Sequence, residues 1–365
     1  MMASKREQMD KILLFAVVLI ALAGIMFIYS ATWDRGNTGA GLNELVVKQA
    51  LWVAVGLGLM FIIAQIDYIK ILDFAYLAYA VNLVLLVFLL LFGSERYGAR
   101  RWIAFGPVSL QPSEFIKITV ILALAMFLEQ RRERVGTIGN FAGAALLVAP
   151  AFLLIFLQPD LGTALVLAPI LFSMLYVCGE RVKYLLMALG AGFLSLPVFW
   201  SILKEYQKNR LMVFINPNID PLGAGYTIIQ SKIAIGSGGF FGKGWLRGTQ
   251  SYLKFLPEKH TDFIFSVIGE EWGFIGALVI VGLYAVVIAR GIRIISNIDD
   301  IYGKAIATGI VTLLAFQVLV NISMTIGFMP VVGLPLPVIS YGGSSTVAML
   351  VAMGFLLSIS RRVNR

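Results

Sequence analysis

The segment Phe255-Leu-Pro-Glu-Lys-His-Thr-Asp-Phe-Ile-Phe-Ser266 places a carboxylate, Asp262, at the mouth of a long apolar run. A carboxylate there can act as general base toward a substrate hydroxyl, best when partial burial raises its pKa. Asp is equally an ordinary helix N-cap, and Pro257 stops the preceding element under either reading. His260 is the only histidine, which excludes a His-based zinc site and leaves a Ser-His-Asp triad without independent support. Oxygen-ligand binding of Mg²⁺ or Mn²⁺ stays open, with no ligand set to name.

Three more groups of residues carry chemistry. In Gln111-Pro-Ser-Glu-Phe-Ile-Lys117, Glu114 and Lys117 lie three apart on one helix face, beside Ser113. Each charge costs roughly 2.5–3.5 kcal/mol at mid-membrane, so neither is expected to face lipid. The pair is either a structural ion pair or the lining of a polar cavity. Arg96-Tyr-Gly-Ala-Arg-Arg-Trp102 gathers three arginines, a residue type suited to bidentate phosphate capture as well as to anchoring helix ends at an interface. Gly236-Ser-Gly-Gly-Phe-Phe-Gly-Lys-Gly244 lacks the spacing of a nucleotide-binding loop. It reads as a tightly turned backbone, with Lys243 and Arg247 available to a phosphate. Pro330-Val-Val-Gly-Leu-Pro-Leu-Pro-Val-Ile-Ser-Tyr-Gly-Gly-Ser-Ser345, which includes Ser340, is irregular backbone next to an apolar run. Such backbone is tolerated at membrane depth only when buried in protein or lining a cavity.

The elements that must hold these residues are membrane helices. Of 365 residues, 59% are apolar and 13% charged, about half the charged share of an ordinary soluble domain. The apolar runs are continuous rather than alternating, so helices are expected, not a barrel. Spans are predicted at 12–31, 48–66, 72–92, 111–129, 140–157, 161–179, 185–203, 263–289, 303–328 and 338–360. The fold class is thus an all-α polytopic membrane protein of about ten transmembrane helices, a single integral membrane domain over 1–365. The first run lacks an A-x-A cleavage site and is expected to be a retained anchor. Cys178 is the lone cysteine, so no intramolecular disulfide can form.

With both termini cytoplasmic, the inner segments collect most of the short-loop Lys and Arg, as the positive-inside rule requires. The exception is the stretch 204–262, a long extracytoplasmic loop with eight Lys/Arg against four Asp/Glu. Tyr226–Ile235 has the spacing of an amphipathic helix, and the aromatic residues that follow predict packing on the outer membrane surface. A basic aromatic surface suits an anionic ligand with apolar parts.

Taken together, the motifs at 111–117, 158–163 (QPDLGT), 220–239, 255–273 and 330–345 resemble the SEDS family of cell-wall polymerases (shape, elongation, division and sporulation). The lead Pro330-Val-Val-Gly333 is similar to its elongation branch rather than its division branch. The resemblance implies a peptidoglycan glycosyltransferase of the bacterial cytoplasmic membrane, using lipid II and a growing lipid-linked glycan. Asp262 matches the family's essential aspartate, Glu114 and Lys117 its polar cavity pair, Arg101 the arginine beside its tryptophan, and Lys243 its matching loop. Ser113, His260 and Ser340 fall within the matching motifs and are counted as substrate-binding candidates. Lys254 departs from members with an acidic residue there and receives no role. The expected partners are a class B penicillin-binding transpeptidase and membrane lipids, not nucleic acid, and a divalent cation, Mg²⁺ or Mn²⁺, is the candidate cofactor.

A pyrophosphate leaving group needs charge neutralisation more than protonation, so one base suffices and inversion follows. Two rival functions remain: a lipid II flippase or other transporter, since charges inside a bundle also mark translocation routes, and a non-catalytic scaffold for wall enzymes.

Overall fold

The structure, a computed structural model, describes residues 9–33, 43–96, 99–105, 108–203, 205–221, 223–253 and 255–363. Lys254, with Lys5, Arg6, Arg35 and Arg365 from the charge-based orientation, lies outside the described residues, as do the side chains of Arg96 and Arg100.

The chain runs α1 (Lys11–Thr32), α2 (Glu44–Gln65), α3 (Tyr68–Leu72) and α4 (Ala75–Phe92) into strands β1 (Ser94–Arg96), β2 (Ala99–Phe105) and β3 (Val108–Leu110). It continues through α5 (Pro112–Gln130), α6 (Ile138–Leu157), α7 (Leu161–Val177), α8 (Val182–Leu194), α9 (Leu196–Ile202), α10 (Glu205–Ile215) and α11 (Ala224–Gly238). The last elements are α12 (Thr249–Tyr252), α13 (Ile264–Asn297), α14 (Ile301–Ile326) and α15 (Gly343–Val363).

Each predicted apolar run coincides with a helix, except that 185–203 is built from two, α8 and α9, bent by 49°. Among the described residues, seven helices are long and apolar enough to cross a membrane, eight if the bent pair is one span. The other two of the ten predicted runs are α7, with 17 residues, and α5, which carries Glu114, Lys117 and Glu129. Enclosure is high for α14 and α15, 72% and 83% of whose spans are buried against 28% for α2 and α4, and for α5, 14 of whose 19 residues are buried. These three form the centre, and the outer helices turn their exposed Leu, Val and Phe outward.

The connection after α4 is a small antiparallel sheet in the order β1-β2-β3, with Ile103 opposite Leu110. Trp102, Ile103, Phe105 and Val108 are aromatic or β-branched, residue types that favour strands, a local feature that the arginines obscure in the sequence.

The long loop is largely helical. The amphipathic stretch expected at Tyr226–Ile235 lies within α11, whose inner face packs against α13 and α14. Buried Ser231 fixes it there, its hydroxyl 2.7 Å from that of Ser266 and donating to the Thr325 carbonyl at 2.6 Å.

The Gly-rich segment after α11 has a structural cause that the sequence does not announce. α13 is broken at Gly273 (φ 63°, ψ −157°), which strips nearby carbonyl and amide groups of their helical partners. The loop replaces them. Lys243 and Gly244 donate their amides to the carbonyls of Glu270 and Glu271 at 3.0 and 2.9 Å. In return Phe274 and Ile275 donate to Gly239 and Phe240 at 3.0 and 3.2 Å. A Cβ at Gly242 would collide with the Glu271 carbonyl.

Candidate active site

Asp262 sits one residue before Phe263, the N-cap of α13, so it is not itself the capping residue. Its main chain is tethered from three directions. Ser340 donates its hydroxyl to the Thr261 carbonyl at 2.5 Å while accepting from the Leu336 amide at 2.8 Å. The Tyr341 amide donates to the His260 carbonyl at 2.8 Å. Asn321, fully buried on α14, donates its amide to the Asp262 carbonyl at 3.0 Å and the Leu334 carbonyl at 2.8 Å. Every tether is to backbone, which holds the residue while leaving its carboxylate unbonded among the described residues.

That carboxylate is half-buried and opens on a cavity of about 160 Å³ lined also by Arg210, Glu258, Phe263 and Val331. Gly333 lies beside the carboxylate, with a φ of +75° that suits glycine and a position where a Cβ would lie 3.6 Å from Asp262 Oδ2. Burial pushes the Asp262 carboxyl up to about 6, Glu258 and Asp160 add to the rise, and Arg210 and Arg101 restrain it. The group is therefore largely ionised at neutral pH yet a stronger base than an aspartate with the ordinary pKa of about 3.9.

Arg101 projects from β2 and is bound up with the start of α7. Its Nε donates to the Gln158 carbonyl at 3.0 Å, Nη2 donates to the Pro159 carbonyl, and Nη1 lies 3.8 Å from Asp160 Oδ1. Asp160 caps α7 by accepting from the Thr163 amide at 3.2 Å. Arg210, on α10, donates to the Val331 carbonyl at 3.3 Å and lines the cavity. Two guanidinium groups thus act on the space around one raised carboxylate, a combination that can hold an anionic leaving group near a base.

The other candidates lie around this centre rather than in it. Glu114 and Lys117 form a buried pair on α5, 2.8 Å apart and 4% and 2% exposed, with no contact to Asp262. The Ser113 hydroxyl is buried without a partner among the described residues, as are both polar atoms of Gln317 on α14, the helix that packs on α5. His260 is half-buried with its ring edge-on to Tyr341 at 5.7 Å, and burial lowers its pKa. Lys243 is not brought to Asp262. Its ammonium lies 2.8 Å from Glu270 Oε1 and donates to Thr249 Oγ1 at 2.8 Å, clamping the loop to the broken helix. Ser340 acts through the backbone of the Asp262 segment.

Four residues near the base went unassigned in the sequence: Arg210, Glu258, Asp160 and Asn321. Asn321 carried the clearest signal, an amide inside an apolar run. Asp160 lay inside QPDLGT without a role. Among the described residues, no group of three or more His, Cys, Asp and Glu is arranged to hold a metal ion. Glu258 and Asp160 each act electrostatically on Asp262 without forming such a set.

Comparison with known proteins agrees over the whole chain. The FTSW_RODA_SPOVE family, described as cell cycle protein, matches residues 10–365. The peptidoglycan glycosyltransferase RodA of Treponema pallidum is 35% identical, covering 97% of this chain and 98% of that protein. The peptidoglycan glycosyltransferase MrdB of Escherichia coli K12 is 40% identical, covering 98% and 96%. Among solved structures, a chain of a peptidoglycan synthase complex that coordinates polymerization and crosslinking superposes with a TM-score of 0.82 at 36% identity, covering 97% of this chain and 98% of that one. The rod shape determining protein RodA of Thermus thermophilus gives 0.72 at 33% identity, with 97% of each chain covered. With its fold and nearly all of its length matched, this chain belongs to the FtsW, RodA and SpoVE family of cell cycle proteins, the SEDS family that its motifs resemble.

Proposed function

We propose that this chain is a peptidoglycan glycosyltransferase that polymerises lipid II into β-1,4 glycan at the outer face of the bacterial cytoplasmic membrane, for elongation and rod shape. The observation that carries the mechanism is the Asp262 carboxylate, raised to about 6 and open to a cavity that also holds Arg210. Asp262 removes the proton from the acceptor sugar hydroxyl as its oxygen attacks the anomeric carbon of the donor. The bond from that carbon to the lipid pyrophosphate breaks on the opposite face, so an α-linked donor becomes a β-linked product. Arg210 and Arg101 offset the charge on the departing pyrophosphate, and no step requires a protein-held metal. The donor and acceptor lipid tails lie along the exposed apolar helix faces. A class B penicillin-binding transpeptidase is the proposed partner, both termini are cytoplasmic, and the outer helices α10 and α11 face the site of wall assembly.

The test is polymerisation of purified lipid II by the chain with its transpeptidase partner, wild type against Asp262→Asn. Long glycan from wild type and none from a folded, partner-bound variant supports the base. Equal polymerisation by both rejects Asp262, and translocation of lipid II in vesicles without polymerisation by either favours a flippase.

A further inference from the structure

At the far end of the bundle from Asp262, α2, α3 and α15 enclose a second cavity of about 290 Å³. The 21 residues of α15 separate the two ends, about 30 Å at 1.5 Å per residue. Three cations line the cavity, Lys70, Arg361 and Arg362, against one carboxylate, Asp67. The active-site mechanism uses none of them.

Charges that only orient a protein in its membrane need no concavity and no special surroundings. Here the surroundings are prepared for an anion. The last carbonyls of a helix repel anions, and two at the end of α2 are covered: Arg361 Nη1 donates to the Ala64 carbonyl at 3.0 Å and the Ser358 hydroxyl to the Ile66 carbonyl at 2.7 Å. Asp67 is occupied as the N-cap of α3, accepting from the Ile69 amide at 3.2 Å. Arg362 is steered by the buried Tyr68, whose hydroxyl accepts from Nη1 at 3.4 Å and donates to Asp300 at 2.6 Å. The Lys70 ammonium is exposed and has no ion-pair partner among the described residues.

An apolar track leads away from the same cavity. Val55, Leu59, Ile62 and Ile66 follow one face of α2 at spacings of four, three and four, and are 49%, 36%, 57% and 40% exposed. Ile66 itself lines the cavity. A soluble phosphate would leave this track unused, whereas a lipid would place its phosphate among the cations and its acyl chains along the stripe. Basic pockets between membrane helices take anionic headgroups in this way.

We propose that the cavity between α2, α3 and α15 is a binding site for an anionic glycerophospholipid of the leaflet opposite Asp262. Lys70 and Arg362 hold the phosphodiester, and the stripe from Ile66 to Val55 guides an acyl chain. The site is independent of the glycosyltransferase reading.

The test uses the full-length protein in detergent, titrated separately with phosphatidylglycerol, phosphatidylcholine and inorganic phosphate. Retained lipid is counted by mass spectrometry of the intact complex, and Tm is followed in parallel. Phosphatidylglycerol should be retained in preference to phosphatidylcholine, and added salt should weaken that preference. Lys70→Ala and Arg362→Gln, both at exposed side chains, should each weaken phosphatidylglycerol binding about fivefold. Asp67→Asn keeps an N-capping side chain and should tighten it. Equal retention of both lipids, or variants that bind phosphatidylglycerol like wild type, would overturn the site. Stabilisation by inorganic phosphate equal to that by phosphatidylglycerol would overturn the lipid as its occupant.

Discussion

The side-chain amide of Asn321 on α14 donates to the main-chain carbonyls of Asp262, at 3.0 Å, and Leu334, at 2.8 Å. One buried residue thereby ties the loop bearing the proposed base to the loop whose Val331 lines the cavity. Asn321→Leu should lower kcat about 100-fold, the scale of an ångström of misplacement. It should also destabilise by about 1–3 kcal/mol through the carbonyls left unpaired. Because Asn321 acts through backbone position, KM for lipid II should change little while kcat falls. A variant with unchanged kcat in the polymerisation assay would remove the residue from the mechanism.

The Asp262 carboxyl, raised to about 6, gives two pH signatures. Activity on lipid II should rise with pH through about 6 as the carboxylate forms, and the limb should vanish in Asp262→Asn. The stability effect has the opposite sense. A carboxyl whose folded pKa exceeds its unfolded value binds its proton more tightly when folded, so ionisation between about pH 4 and 6 costs stability, at most about 3 kcal/mol and less for a half-buried group. Asp262→Asn should therefore raise Tm at pH 7, and the gain should disappear near pH 4. Thermal melts of both proteins across this range provide the check.

The helices were legible because continuous apolar runs in lipid have one backbone solution. The site was only partly legible. Asp262 stands out as a carboxylate at a span entrance, and Glu114 and Lys117 as charges three apart, since both patterns are local. Arg210 reaches the cavity through α10, more than fifty residues before Asp262, and nothing in its own neighbourhood marks that contact. The break at Gly273 is hidden because Gly273-Phe-Ile-Gly-Ala-Leu-Val279 continues the apolar pattern. Only the pairing of 239–244 with 270–275 reveals it, and that pairing turns Lys243 from an expected phosphate contact into a clamp.

The buried pair of Glu114 and Lys117 separates a structural from a functional role by its double variant. Removing one partner leaves an uncompensated buried charge and should cost about 3–5 kcal/mol. Replacing both, Glu114→Gln with Lys117→Met, should recover most of that loss, seen as a return of Tm toward wild type. If the pair serves the reaction, the double variant stays inactive on lipid II despite its recovered stability. If the pair is only structural, activity returns with Tm.

Lys243 provides the complementary case, a cation whose contacts among the described residues, to Glu270 and Thr249, are structural. Lys243→Met leaves the Glu270 carboxylate, buried on α13, without its countercharge and should destabilise by about 3 kcal/mol. Gly273→Ala should act at the same joint, because a Cβ there would meet the Phe240 carbonyl carbon and oxygen at 2.8 Å and φ is positive. Glu270→Gln paired with Lys243→Met removes both charges and should restore much of the stability. In that double variant KM for lipid II should stay near the wild-type value, because the clamp positions the 239–250 loop and does not touch the cavity at Asp262. A KM raised tenfold or more in a stable double variant would instead return Lys243 to the substrate.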